Sequence, residues 1–166
     1  MKMKKNPRRT RRFLWMALWA LFLQPYLPAQ SQRTSGIAVV VNPDTPVSDL
    51  SLEEVRKIFL GNRQYWTAKL PVVLLIRAPV ARERDMVLQR IYQMNEAQFK
   101  RYWIAKIFRA ESAAAPKIVY SNVLANELTA AMPGAIAFMD ARDVRPGVKV
   151  VRIDGHLPSE PGYPLQ

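Results

Sequence analysis

Two short runs constrain this chain more than any other feature: Ile37-Ala38-Val39-Val40-Val41 and Pro71-Val72-Val73-Leu74-Leu75-Ile76. Neither alternates with polar residues, so each predicts a strand buried on both faces. Sheets made of such strands need helices on either side. The first candidate cover begins at Ser51-Leu52-Glu53-Glu54, which has the form of a capping box: the Ser51 hydroxyl serves a free N–H, and Glu54 reaches back to the cap. Behind it Leu52, Val55, Ile58 and Phe59 share one helical face, and Gly61 is placed to end the helix in a left-handed conformation.

The pattern continues. A helix after residue 81 carries Val87, Leu88, Ile91 and Met94 toward a core. Asn95-Glu96-Ala97-Gln98 predicts a further capping box, opening a helix whose Phe99, Trp103, Ile104, Ile107 and Phe108 form a broad apolar stripe, read as core. Ala113-Ala114-Ala115-Pro116 breaks the chain before a short strand at Lys117-Ile118-Val119-Tyr120. Ser121 or Asn122 caps a helix to about Met132, Pro133-Gly134 turns into a strand at Ala135–Met139, and Val148 to Ile153 is the last strand. Alternating strands and helices predict one α/β domain, a mixed, mainly parallel sheet with helices on both faces. The tail from 156 to 166, rich in Pro and Gly, is expected to be loosely held.

The formal charge of +12 is unevenly placed. Seven basic residues, Lys2 to Arg12, precede the apolar run Phe13–Leu23, followed by Pro25, Pro28 and small residues, the three-part pattern of a secretory signal over residues 1–31. Cleavage is expected after Ala29 or, with small residues at both required places, after Ser31. The run is shorter than the roughly 20 residues that span a bilayer, so no permanent membrane span is expected. A periplasmic or secreted location follows. Without residues 1–29 the charge is +5, and the excess lies in residues 77–109, which carry 8 basic and 3 acidic side chains. Such a face can attract phosphate, acidic polymers or anionic lipid headgroups, but it reads first as the solvated face of two helices.

Several chemistries are excluded or weakly supported. With no cysteine there is no disulfide, thiolate nucleophile or Cys-ligated metal. His156 is the one histidine, which excludes a site of several histidines and would force a Ser-His-Asp arrangement onto the tail. No glycine-rich nucleotide loop occurs. No catalysis, cofactor or metal is expected. Nucleic-acid binding is suggested by Arg and Lys among Tyr92, Tyr102 and Trp103, but export argues against it.

The segments IAVVVNP, LSLEEVRKIFLGNRQYW, PVVLLIR and AAMPGAIAF together resemble the phosphate-binding periplasmic proteins of ATP-driven phosphate uptake, within the type 2 periplasmic binding proteins. The most specific parts are SLEEVRKIFLG followed by Trp66, and PGAIAF; the resemblance spans about residues 36–155. It implies a single periplasmic-binding-protein-like lobe and an oxyanion site after the strand ending at Arg77. There the family has a glycine, serine, glycine, threonine, arginine run. This chain has Val80, Ala81, Arg82, Glu83 and Arg84 in those places, so only Arg77 and Arg84 match. Each missing hydroxyl removes a hydrogen bond to a charged ligand, roughly 1.5 to 3 kcal/mol. Glu83 adds a carboxylate at the helix start, where it repels an anion.

The resemblance therefore implies an exported solute-binding module that binds phosphate or another oxyanion weakly, accessory to phosphate uptake, with Arg77, Arg84 and then Arg82 as charge partners. The alternative is an envelope module that keeps the scaffold, has lost the ligand, and meets a protein partner or a copy of itself at the open cleft edge.

Overall fold

The computed structural model describes residues 36–166; the expected signal segment, residues 1–31, lies outside them. The elements run in the order β1 (Ile37–Val41), β2 (Asp49–Leu50), α1 (Leu52–Phe59), β3 (Tyr65–Thr67), β4 (Leu70–Pro71), β5 (Val73–Arg77), α2 (Arg82–Val87), a π-helical turn (Leu88–Tyr92), α3 (Glu96–Phe108), β6 (Lys117–Val119), α4 (Asn122–Ala131), β7 (Ala135–Asp140), β8 (Lys149–Val150) and β9 (Arg152–Ile153).

Five strands form the main sheet in the order β6-β5-β7-β1-β8. β5 pairs parallel with β6 and β7, while β1 pairs antiparallel with β7 and β8. Four strands therefore share a direction and β1 alone is reversed, which matches the expected mixed, mainly parallel sheet. The unbroken apolar run of β1 has the anticipated cause. Ile37, Val39 and Val41 enter a core under α1, the π turn and α3, whereas Ala38 and Val40 enter a second core with Val119, Ala125, Ala137 and Met139 on the α4 side. Small side chains dominate that second face, so α4 can lie close to the sheet.

Both expected capping boxes form. Ser51 accepts from the Glu54 N–H while Glu54 accepts from the Ser51 N–H, and Asn95 and Gln98 do the same at α3. Gly61 has φ +67, and a Cβ there would stand 2.8 Å from the Trp103 ring, so the helix stop also admits α3. The two most specific sequence segments meet: the Trp66 indole N–H donates to the Gly134 carbonyl at 2.8 Å. Gly134 itself has φ +76, with room for a Cβ blocked by the Pro71 carbonyl at 2.1 Å.

Three expectations fail. Val148 to Ile153 is two strands, because the Val151 N–H pairs with Val39 and the Arg152 N–H then leaves for Ser48, seeding a parallel pair of β9 with β2. The apolar stripe of α3 is divided: Phe99 and Trp103 are buried, whereas Ile104, Ile107 and Phe108 face outward. The tail is held, since Tyr163 and Leu165 are buried in the first core, the Ile37 N–H donates to Leu165 O at 2.9 Å, and the Tyr163 hydroxyl donates to Ile37 O at 2.7 Å. Burial of that phenol pushes its pKa above the ordinary tyrosine range.

Candidate functional site

In sheets with mostly parallel strands, ligands meet the turns at the strands' carboxyl ends. Here those turns follow β5, β6 and β7, and they hold Arg77, Val80, Arg82, Glu83, Tyr120, Asn122, Asp140 and Asp143. Arg77 is the last residue of β5, in register with Val119. Its side chain is buried: Nη1 donates to Val119 O at 3.3 Å, and Nε is enclosed without a partner.

Beyond it the Ala78 N–H donates to Val119 O at 2.8 Å, and Val80 takes a left-handed φ of 67° with its side chain 98% exposed. A β-branched residue is strained there, and its position is the one the family resemblance gives to glycine. Ala81 starts α2 and offers no side-chain cap, consistent with the absent serine.

Arg84 points away from this mouth. Its Nε and Nη2 donate to the two Glu96 carboxylate oxygens at 2.8 and 3.0 Å, and Nη1 donates to Arg77 O at 2.7 Å. The guanidinium also lies 4.7 Å from the Phe99 ring centre. Only 3% of the side chain is exposed. The Glu96 carboxyl is held below its ordinary value, first by the hydrogen bond from Arg84. The structure thus brings Arg77 and Arg84 together, but as a β5 terminus tied to the start of α3 through one guanidinium. Arg82 is exposed on the first turn of α2.

Sequence reasoning missed the acidic side of the site. Asn122 Nδ2 donates to Glu83 at 2.8 Å and to Asp143, gathering two carboxylates at one amide, and Asn122 Oδ1 is buried without a partner. Asn126 locks the same turns, donating to Asn122 O and Asp143 O and accepting from the Arg145 N–H. Asp140 pairs with Arg142 at 2.8 Å. The sequence offers Asn122 only as a candidate cap and marks Asp143 in no way; their meeting joins the β6–α4 and β7–β8 connections, which nothing local in the sequence announces. Among the described residues no group of three or more His, Asp or Glu is placed to hold a metal ion. His156 engages Ile153 through its backbone.

A comparison with models of known protein families gives no match, and a comparison with curated proteins gives none either. Solved structures do match. An ABC-type phosphate transport receptor from Vibrio cholerae superposes with a TM-score of 0.61 at 20% identity, over 75% of this chain and 48% of its own. The fold is that of one periplasmic-binding-protein lobe. PstS from Borrelia burgdorferi agrees, with a TM-score of 0.59 at 13% identity over 75% of this chain and 49% of its own. The chain spans about half the length of these neighbours. At such identities the likeness concerns the scaffold, and the lobe's own residues must carry any statement about ligand.

Proposed function

We propose that this lobe is an exported, non-catalytic binding module that has kept the phosphate-binding-protein scaffold and turned its strand-end face from free phosphate to contact with a protein. One observation carries the reading: the guanidinium of Arg84 is committed on three sides to Glu96 and the Arg77 carbonyl. An anion entering the turn would have to break those bonds, each a charge-assisted or buried hydrogen bond. It would also approach Glu83 and Asp143 without the glycines and hydroxyls that offer bare donors. The rim supports the same reading, since Val80 and Tyr120 present apolar surface beside the mouth, with Tyr120 77% exposed. Exposed apolar surface at a rim is the chemistry a protein contact uses.

A second reading has one observation in its favour. The enclosed Arg77 Nε lacks a partner, so a weakly held oxyanion has one donor to gain. Titration calorimetry of the protein with phosphate separates the two. The first reading expects no heat up to about 1 mM, an affinity of roughly 4 kcal/mol. Micromolar affinity abolished by Arg77→Ala would restore the phosphate receptor.

A further inference from the structure

The outer face of α3 has no role in the fold or in the strand-end site. Ile104, Ile107 and Phe108 lie at helical spacing, belong to neither core cluster, and are exposed, Ile104 to 70% and Phe108 to 91%. Cations border them. Lys100 reaches Glu96 only at 3.8 Å, and that carboxylate is already held by both arms of Arg84, so the ammonium keeps its charge toward solvent. Arg101 is exposed and has no ion-pair partner among the described residues. Arg109 and Glu111 neutralise one another at the far end. The face is thus apolar tips in a basic frame.

We propose that this face docks the lobe on an anionic membrane surface, with Phe108 and Ile104 entering the boundary between headgroups and acyl chains and Lys100 and Arg101 meeting phosphate headgroups. Charge decides the occupant. An isolated apolar patch would suit any hydrophobic partner, but this one is bordered on its own helix by the exposed cations Lys100 and Arg101, whereas Arg77, Arg84 and Lys106 of the same basic segment are buried. Shape agrees with it. A helix face bearing protruding side chains inserts shallowly into a lipid interface, whereas a protein partner would have to supply a pocket for Phe108. The expected export signal would also deliver the chain beside a membrane. The inference does not rest on the reading of the strand-end face.

A leaderless chain of residues 32–166 holds the compact unit Thr34–Gln166 with every core residue among the described ones, and it removes the apolar leader as a cause of binding. Its co-sedimentation with vesicles of phosphatidylcholine containing about 30% phosphatidylglycerol, and with phosphatidylcholine alone, is measured at ~0.1 M and ~0.5 M salt. Binding is expected to the anionic vesicles only, weakening at high salt. It should fall about tenfold in Ile104→Ser/Phe108→Ser and in Lys100→Glu/Arg101→Glu, with unchanged thermal melting because all four side chains lie outside the core clusters. Absence of binding to the anionic vesicles, or binding undiminished in either double variant, overturns the proposal. So does light scattering that finds a dimer dissolved by Ile104→Ser/Phe108→Ser, which would assign the face to a second copy.

Discussion

Val80 keeps a glycine's backbone without being a glycine. At φ 67° a valine costs about 1 to 3 kcal/mol, and with its side chain 98% exposed it returns almost nothing in packing. Val80→Gly is therefore expected to raise stability by about 1 kcal/mol after the added chain entropy of glycine; a lower melting temperature would show the strain to be absent. Arg84→Ala should cost roughly 2 to 3 kcal/mol, less than a fully buried pair because Glu96 remains a third exposed. Its pH signature follows from sign. Glu96 has a folded pKa below its ordinary 4.5, so it contributes stability above that value and loses it as pH falls through the lowered one. The stability gap between wild type and Glu96→Gln, read by denaturant titration, should be constant above pH 4.5 and shrink below it; a gap that widens in acid contradicts the pairing. Sequence placed Arg77 at the end of a strand and Arg84 in the helix that follows, as the fold has them. It did not show that Arg84 turns inward, because its partner stands twelve positions later on another helix and no local spacing relates them.

Helix α3 shows how much a pattern can and cannot say. Its first turn was legible, since a capping box is a contract between residues three apart. Its apolar stripe was not, because apolar residues occupy two faces, one filled by Phe99 and Trp103 and the other by Ile104 and Phe108, and periodicity alone cannot name the buried one. Phe99→Ala is expected to cost about 3 to 4 kcal/mol, while Phe108→Ser should stay within about 0.5 kcal/mol. Equal costs in urea unfolding would mean that both faces are packed. The two-residue strand β2, and the division of Val148–Ile153 into β8 and β9, were invisible for a related reason: elements that short have no period, and they exist because tertiary contacts align them. Gly134 sits between these cases. The proline-glycine turn was legible, but only the fold reveals that a Cβ would collide with the Pro71 carbonyl, so Gly134→Ala should abolish cooperative thermal unfolding or lower its midpoint by well over ten degrees, roughly 3 kcal/mol or more.

At the scale of the molecule, continuous apolar runs in β1 and β5 dictated a sheet covered on both sides, and the structure delivers two cores divided by that sheet. The direction of β1 was not legible, since burial on both faces says nothing about polarity. Nor was the closure by the tail: composition around Pro158, Pro161 and Pro164 suggests loose chain, yet Tyr163 and Leu165 seal the first core beside Ile37. Removing residues 163–166 is expected to cost about 3 to 6 kcal/mol, two buried side chains, and an unchanged unfolding midpoint would show the tail to be an ornament. A frame that superposes on half of a phosphate transport receptor does not by itself carry that receptor's ligand. The strand ends are where the fold permits a site, and the residues there have closed upon themselves through Arg84–Glu96 and Glu83–Asn122–Asp143. Phosphate affinity measured by titration calorimetry tests this most directly: the account predicts no binding tighter than about 1 mM, and a micromolar dissociation constant that Arg77→Ala abolishes would contradict it.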